Sequence, residues 1–304
     1  MANKIIVVGS SNTDMVLKVP RIPAPGETIL GSDFFVIPGG KGANQAVAAA
    51  RSGAKVTFMA CVADDNFGTQ SIENYRKDGI ETRYIKVQSG THSGVALINV
   101  SDDGENSISV ASGANSHLLP EDIATYSDAF TGAGIVLAQL ETPLSTIDAV
   151  AEKAHALGIP FILNPAPAAL LSDNILKKVS ILTPNETEAA LLTGRRDVRE
   201  NEIPSMAEEL LAKGVKTVII TLGSKGVFLC NESHREVIPG YKVKAVDTTA
   251  AGDVFNGVLA SAVASGKPIK EAIDHAQRAA AISVTRLGAQ PSAPTLDEIV
   301  NYAF

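Results

Sequence analysis

The sequence predicts an α/β protein: a three-layer α/β/α fold on a mostly parallel sheet, with a small β-sheet lid. Short β-branched runs alternate along the chain with longer segments of helical periodicity. The short runs are continuously apolar, as expected for strands that are covered on both faces. Repeated strand–helix–strand order is typical of a parallel sheet with helices on both sides.

The individual elements follow from these two patterns. Continuous apolar runs predict strands at 4–10, 55–62, 134–140, 160–165, 179–184 and 216–223. Helical spacing of apolar residues predicts helices at 41–52, 67–78, 145–157, 186–193 and 204–213, and a further helix that begins near Gly252.

Two segments interrupt this alternation and are expected to form the lid. Residues 14–37 and 93–111 have the character of β-hairpins, and the second contains the turn sequence SDDGEN between alternating strands. No repeat or low-complexity linker divides the chain. We therefore expect one domain, 1–304, with these two hairpins as lid segments.

Composition excludes several classes of function. The 33 acidic and 26 basic residues give a net charge of −7, which argues against a nucleic-acid or anionic-membrane partner. No apolar stretch reaches 18 residues, and the first residues lack a signal-peptide pattern, so a cytoplasmic location is expected. Cys61 and Cys230 lie in apolar surroundings, as buried reduced thiols do. The five histidines have no metal-ligand spacing.

The stretch TTAAGD at 248–253 is the first candidate site. Ala250, Ala251 and Gly252 have almost no side chain and precede an apolar helix, whose first amides lack intrahelical acceptors and favour an anion. Asp253 then places a carboxylate beside that anion, where a general base for phosphoryl transfer would stand. An ordinary helix start with an acidic first turn explains the stretch equally well.

A second glycine-rich segment, PGGKGANQAVAAARSG at 38–53, forms a turn before an alanine-rich helix. Gly40 and Gly42 make the turn flexible, while Lys41 and Asn44 present polar groups there. The segment is not a Walker A loop, and no GxGxxG follows the first strand, so a dinucleotide-binding fold is not expected. A glycine-rich turn alone is weak evidence for a site.

Polar residues also follow several predicted strands, at the edge where open α/β sheets bind ligands. Each of them alone fits a turn or a cap, but their accumulation at one edge indicates a binding site. They are Asn12 and Asp14, Glu141, Asn185 and Glu188, and the segment TLGSKG at 221–226.

The motifs GGKGANQA (39–46) and DTTAAGD (247–253) resemble the two signatures of the ribokinase-like carbohydrate kinase family. NTD, QLE, NETE, TLGSKG and VTRLGAQPS occur in the matching order, so the resemblance covers essentially the whole chain. It implies ATP-dependent phosphorylation of ribose at the 5-hydroxyl. By this resemblance Asp253 is the general base, and the amides of Ala250, Ala251 and Gly252 form the anion hole.

The resemblance also assigns binding roles to other residues. Those implied to hold the sugar are Asn12, Asp14, Gly40, Lys41, Gly42, Asn44, Glu141 and Asp253. Those implied to bind ATP are Asn185, Thr221, Gly223, Ser224, Lys225, Gly226, Gly252 and Gln277. Glu188 is implied to support Mg²⁺ indirectly. A monovalent cation, usually K⁺, is implied at Asp247, Thr249, Ser283, Arg286, Gly288 and Ser292.

A homodimer formed through the β-lid is implied by the resemblance alone. Two alternatives remain open at this stage. The same chemistry could act on deoxyribose, a nucleoside or a keto sugar acid, and the chain could instead be a non-catalytic sugar-binding regulator. The intact Asp253 and the absence of a DNA-binding segment argue against the regulator.

Overall fold

The computed structural model describes residues 3–196 and 198–304; residues 1, 2 and 197 of the expected domain lie outside the described residues. The strands are β1 (Lys4–Val8), β2 (Asn12–Val19), β3 (Phe34–Gly39), β4 (Lys55–Ala63), β5 (Ile85–Gln88), β6 (Gly94–Ser101), β7 (Asn106–Ala111), β8 (Ile135–Ala138), β9 (Phe161–Leu163), β10 (Ile181–Leu182), β11 (Thr217–Thr221), β12 (Gly226–Cys230) and β13 (Arg235–Pro239). The helices are α1 (Lys41–Arg51), α2 (Asn66–Lys77), α3 (Pro120–Thr125), α4 (Leu144–Ala156), α5 (Asp173–Leu176), α6 (Glu186–Leu192), α7 (Ile203–Ala212), α8 (Ala251–Ala264), α9 (Ile269–Ser283) and α10 (Leu296–Asn301).

Within residues 3–196 and 198–304, nine strands form the main sheet in the order β13-β12-β11-β10-β9-β8-β1-β4-β5. The seven strands β11, β10, β9, β8, β1, β4 and β5 are all parallel to one another. Strands β12 and β13 form an antiparallel hairpin that pairs with β11 at one edge. All six predicted strands are present in the parallel part, and the predicted α/β class is confirmed. The β12–β13 hairpin was not predicted.

Alternate residues of β1 enter two different hydrophobic cores, one on each face of the sheet. Ile6 and Val8 pack in a core that includes side chains of α4, α6 and α7. Ile5 and Val7 pack in the other, together with side chains of α1, α8 and α9. Burial on both faces explains why the strand sequences are continuously apolar.

The two predicted hairpins join into one small sheet, with strand order β3-β2-β6-β7. β2 and β6 pair in parallel, so that the two hairpins lie side by side. The face that bears Asp14 also bears Ala96 and Ile98 of β6, with Ile108 and Val110 of β7 paired beside them. This small sheet is called the lid below.

Helices α1 and α8 approach each other unusually closely, because Gly257 has no side chain. A Cβ at Gly257 would lie 2.4 Å from the carbonyl oxygen of Gln45. The start of α1 and the start of α8 are thereby brought together at the edge of the main sheet where the predicted site residues lie. In the described part of the chain, no helix is long and apolar enough to cross a membrane.

Candidate active site

Two cavities meet at the beginning of α8. The first, of about 640 Å³, lies between the lid and the main sheet. The second, of about 380 Å³, lies between the 221–227 and 240–245 segments and helices α8 and α9. Ala250 and Asp253 line the first cavity, whereas Ala251 and Gly252 line the second. The first turn of α8 is therefore the boundary between the two.

The structure brings nearly all of the predicted sugar-binding residues together in the first cavity. Its lining includes Asn12, Asp14, Gly40, Lys41, Asn44, Glu141 and Asp253. Gly42 is not among the lining residues. It packs against the end of β1, where a Cβ would lie 2.4 Å from the amide nitrogen of Ser10. The amide of Gly42 donates to Ser10 Oγ at 3.2 Å.

Asp253 lies in the first turn of α8 and is 6% exposed. Both carboxylate oxygens accept hydrogen bonds from helix α1: Asn44 Nδ2 donates to Oδ2 and Gln45 Nε2 donates to Oδ1, each at 2.9 Å. Burial raises the pKa of Asp253, while Lys41 and the two amides act to lower it. The carboxylate is desolvated, aimed by two donors and open to the cavity, as a general base requires.

Lys41 lies among four carboxylates at the floor of the first cavity. Burial acts to lower the pKa of Lys41, but Asp253, Glu141, Glu188 and Asp14 together raise it. Lys41 is therefore a cation at neutral pH. A fixed positive charge at this point can balance both the carboxylates and an incoming phosphate.

Asp14 is a second carboxyl group of the first cavity whose pKa is raised. Burial, with Glu141 and Asp253, raises the pKa of Asp14 from 3.8 to about 6, although Lys41 acts in the opposite direction. Burial is the main cause, and the two neighbouring carboxylates add to it. The charge of Asp14 in the ligand-free protein therefore changes near neutral pH.

Glu141 closes the N-terminus of α1. Its Oε2 atom accepts from Ser10 Oγ at 2.5 Å and from the amide of Lys41 at 2.9 Å. Gly40 permits this approach, since it has φ 88° and a Cβ there would lie 2.6 Å from the amide nitrogen of Asn12. Glu141 thus fixes the glycine-rich turn and still lines the cavity.

Asn115 was not predicted, although it lines the first cavity and is 1% exposed. Its Nδ2 donates to Asn12 Oδ1 at 2.7 Å, and its Oδ1 accepts from the amide of Ser11 at 2.9 Å. Asn115 occurs in the polar stretch SGANS after the second hairpin. Such a stretch is typical of a surface loop, so no local signal marked the residue.

The second cavity contains most of the predicted nucleotide-binding residues. Its lining includes Thr221, Gly223, Ser224, Gly226, Gly252 and Gln277. Gln277 is 6% exposed, and neither of its side-chain amide atoms has a partner among the described residues. A buried amide without a protein partner, in a residue that lines a cavity, is a candidate to bind a ligand.

One wall of the second cavity was missed from the sequence. Residues Gly240 to Val243 line the cavity together with Gln277. Tyr241 is fixed there because its hydroxyl donates to Asp274 Oδ1 at 2.6 Å. The segment has no regular secondary structure and no recognisable motif, which explains the omission.

Two predicted nucleotide-binding residues do not line this cavity. Lys225 pairs with Glu200 at 3.0 Å on the surface. Asn185 is the N-cap of α6, where its side chain accepts from the amide of Glu188 at 2.8 Å and Glu188 Oε2 accepts from the amide of Asn185 at 2.8 Å. The NxxE pair is therefore a capping box.

Glu188 nevertheless faces the other charged groups of the site. Burial raises the pKa of Glu188, with Asp253 adding to the effect, whereas the amide of Asn185 and Lys41 lower it. In the 3–196 and 198–304 ranges, no three His, Cys, Asp or Glu side chains are grouped to hold a metal ion. A protein cage for Mg²⁺ is not needed when substrate phosphates supply its ligands.

The residues predicted to surround a monovalent cation lie on two adjacent loops. Asp247 Oδ1 accepts from the amide of Thr249 at 2.9 Å, and its Oδ2 accepts from the amide of Gly288 at 2.8 Å. Burial acts to raise the pKa of Asp247, but these bonds lower it. The hydroxyls of Ser283 and Ser292 donate to the carbonyls of Ala280 and Ala289. The side chain of Arg286 instead forms an ion pair with Glu298, with 2.5 Å between Nη2 and Oε1.

A buried carboxylate at a helix start, between two cavities of this α/β fold, defines a phosphotransferase that acts on a small acceptor. Comparison with known proteins gives the family. A profile of the pfkB family carbohydrate kinases matches residues 2–296. The chain belongs to this family. The predicted ribokinase-like family resemblance and the prediction of a carbohydrate kinase are confirmed.

Individual relatives extend over the whole chain. A ribokinase of Haemophilus influenzae is 46% identical over 303 residues, which cover 99% of each chain. A deoxyribokinase of Salmonella typhimurium is 37% identical over 299 residues, 98% of each chain. The structure of Arabidopsis thaliana ribokinase complexed with ribose and ATP is 33% identical, with a TM-score of 0.91 and coverage of 99% of this chain and 98% of that one.

Proposed function

We propose that the protein transfers the γ-phosphoryl group of ATP to the 5-hydroxyl of D-ribose. One observation carries the proposal: the buried carboxylate of Asp253 lies at the boundary of two cavities, one lined by polar groups suited to a sugar and one lined by the glycine-rich 221–226 segment. The relatives named ribokinase support ribose as the acceptor.

The sugar would occupy the first cavity. Asp14 and Glu141 provide acceptors for hydroxyl protons, Lys41 provides a donor, and Asn44 Oδ1 is buried without a partner among the described residues. Ile98, Ile108 and Val110 of the lid cover this polar floor with apolar side chains. Lid closure would exclude water, which otherwise competes with the sugar as phosphoryl acceptor.

Transfer would proceed by in-line attack. As the 5-oxygen bonds to the γ-phosphorus, its proton passes to Asp253, and the bond between the γ-phosphorus and the bridging oxygen breaks to release ADP. Negative charge develops on the transferring group. The amides of Ala250, Ala251 and Gly252 at the start of α8 would stabilise this charge.

The geometry of the helix start suits such an anion hole. Ala250 has φ 59°, and a Cβ on Gly252 would meet nothing within 4 Å. The amide of Ala251 makes only a long bond, 3.3 Å, to the Thr248 carbonyl. The amides of Ala250 and Gly252 have no acceptor in the described structure. Bulky phosphate oxygens could therefore reach these donors.

Two ions fit the site. Mg²⁺ would arrive with ATP and shield its phosphates. Glu188 could support the ion, because only one of its carboxylate oxygens is used by the capping box and the other has no partner among the described residues. A monovalent cation, K⁺ or similar, would bind between the 247–249 and 284–292 loops. Asp247 already joins these loops through the amides of Thr249 and Gly288, so an ion there would stiffen the anion hole.

A homodimer formed through the lid is part of the proposal. The outer face of the lid carries Phe34 (59% exposed), Val36 (53%) and Leu97 (54%). A second copy of the lid would cover these apolar side chains. Light scattering of the purified protein tests this, and a monomer at micromolar concentration would contradict it.

Deoxyribose is the second candidate acceptor, because the deoxyribokinase relative is nearly as similar as the ribokinases. The deciding experiment measures ADP release from Mg-ATP with ribose, deoxyribose, fructose or adenosine, each with Na⁺ or K⁺. We expect the highest kcat/KM with ribose, activation by K⁺, and loss of turnover in Asp253→Asn. Asp128→Asn is the matched control, since its carboxylate pairs with Arg83 at the surface.

Each contrary result has a defined meaning. Preference for deoxyribose would change the proposed acceptor and leave the proposed phosphoryl transfer unchanged. Sugar binding without turnover in the unsubstituted protein would leave a sugar-binding regulator. Equal turnover in Na⁺ and K⁺ would remove the cation from the proposal.

A further inference from the structure

The carboxylate of Asp253 is held from inside the protein by a chain of buried amides. Gln45 Nε2 donates to Asp253 Oδ1 at 2.9 Å and to Asn164 Oδ1 at 3.0 Å. Gln139 Nε2 donates to Gln45 Oε1 at 2.6 Å. Gln45 and Gln139 are both 0% exposed. Neither glutamine lines the sugar or the nucleotide cavity.

These contacts allow only one orientation of the Gln45 amide. If the amide were reversed, its oxygen would face two acceptor oxygens, on Asp253 and Asn164, and its NH₂ group would face the NH₂ group of Gln139. Asn164 is itself oriented, since its Nδ2 donates to the carbonyl of Thr183 at 3.2 Å. The donor side of Gln45 is therefore always presented to Asp253.

The sequence provides room for this chain of amides at the end of β1. A Cβ on Gly9 would lie 2.2 Å from Gln139 Oε1. Gln139 is also a polar residue within the otherwise apolar run GIVLAQL. A buried polar network that is not fully paired costs stability, and Gln139 Oε1 has no partner among the described residues. The presence of this network beside the reacting group therefore indicates a functional use.

We infer that Gln45, oriented by Gln139 and Asn164, is the positioning residue that holds the carboxylate of Asp253 and turns its Oδ2 atom toward the acceptor hydroxyl. Oδ1 is bound in the core by Gln45, which does not line the sugar cavity. Oδ2 is bound by Asn44, which does. This inference rests on the proposed function, in which Asp253 is the base. The proton of the attacking hydroxyl is assigned to Oδ2.

The other charged groups around Asp253 come from four elements. They are Lys41 of α1, Glu141 after β8, Asp14 of β2 and Glu188 of α6. Three of these are carboxylates that favour a protonated Asp253, and burial acts in the same direction. Besides Lys41, the amide donors of Gln45 and Asn44 are the groups that oppose them. Removing one donor should therefore shift the titration of Asp253 upward.

The test replaces Gln45 by methionine, which keeps the length of the side chain and removes both donors. We expect the acidic limb of the kcat/KM pH profile to move up by about one unit, since a hydrogen bond to a charged group has that strength. At pH 7 kcat should fall about tenfold or more, because the carboxylate is also less well aimed. The KM values for sugar and ATP should change little.

Gln139→Met serves as the second variant, because it leaves the Gln45 donor in place and removes only its orienting partner. It should shift the same limb in the same direction by less. Thr146→Val is the matched control, since Thr146 Oγ1 donates to the Leu118 carbonyl at 2.6 Å in the core of α4, on the other face of the sheet. That variant loses a buried hydrogen bond and should keep the unsubstituted pH profile.

Asp253→Asn is measured in parallel to separate the two proposals. If this variant loses turnover while folded Gln45→Met and Gln139→Met keep the original pH profile, the positioning role is overturned and the base remains. If Asp253→Asn retains turnover, the base itself is overturned and the positioning role with it. A Gln45→Met variant that fails to fold leaves Gln139→Met to decide, by the presence or absence of the shift.

Discussion

Asn115 Nδ2 donates to Asn12 Oδ1 at 2.7 Å, and both residues lie where lid strands meet the main domain. β2 begins at Asn12 and β6 begins at Gly94, beside the same pair: a Cβ on Gly94 would lie 2.1 Å from Asn12 Oδ1. The bond uses the acceptor of the Asn12 amide. Its NH₂ group is left to face the cavity, where a sugar hydroxyl or ring oxygen can accept.

Asn115→Ala should therefore weaken sugar binding by releasing the amide of Asn12. The Asn12 amide would lose its fixed orientation, and we expect KM for ribose to rise about tenfold, the cost of one buried hydrogen bond. KM for ATP should be unchanged. Ser116→Ala is a matched control, because Ser116 lines the same cavity but bonds only the Gly113 carbonyl. An unchanged ribose KM in Asn115→Ala would contradict the orienting role.

Asp14→Asn should stabilise the ligand-free protein at pH 7.5 while it impairs sugar binding. The pKa of Asp14 is raised to about 6, so the folded state binds a proton more tightly than the unfolded state does. Stability due to this group is therefore present below about pH 4 and is lost as pH rises through 6.

The expected gain for Asp14→Asn at pH 7.5 is about 3 kcal/mol in the free energy of unfolding. Urea denaturation at pH 7.5 and at pH 4 measures it, and the gain should disappear at the lower pH. Asp102→Asn, at an exposed position in the lid turn, should show no such dependence. A gain of equal size at both pH values would show that ionisation of Asp14 is not the cause.

Ala250→Gly should relieve backbone strain at the start of α8. Ala250 has φ 59°, a left-handed conformation that costs an L-residue about 1 kcal/mol and that glycine adopts freely. We expect unfolding to become about 0.5–1 kcal/mol less favourable, with turnover retained. Ala250→Val is the opposing variant, since a β-branched residue there should lower both Tm and kcat. Equal Tm values for the two variants would contradict this reading of the backbone.

Gln277→Met should separate nucleotide binding from sugar binding. Both amide atoms of Gln277 are buried without partners in the described structure, which costs the ligand-free fold about 1–3 kcal/mol. Methionine removes that cost, so Tm should rise. KM for ATP should also rise, because the amide would no longer bind the nucleotide, while KM for ribose stays constant. A lower Tm with unchanged KM for ATP would show that the amide serves the fold alone.

Local sequence was sufficient for the elements that carry the site. Continuous apolar runs marked the parallel strands because both faces of that sheet are buried, and the helix predicted near Gly252 begins at Ala251. The hairpin β12–β13 was not predicted. The antiparallel return of the chain depends on its position at the sheet edge.

The sequence by itself determined the family and the neighbourhood of Asp253, because glycine-rich turns and helix starts are encoded within a few residues. Only the tertiary structure decided which groups meet. Asn44 and Asp253 are 209 residues apart, yet they bond because Gly257 lets α1 and α8 touch. Other tertiary contacts placed Gly42 against the end of β1 and paired Lys225 with Glu200. They also brought Gln45, Gln139 and Asn164 together behind the carboxylate. Such contacts depend on the complementary shapes of distant segments, which hydrophobic periodicity along one segment does not specify.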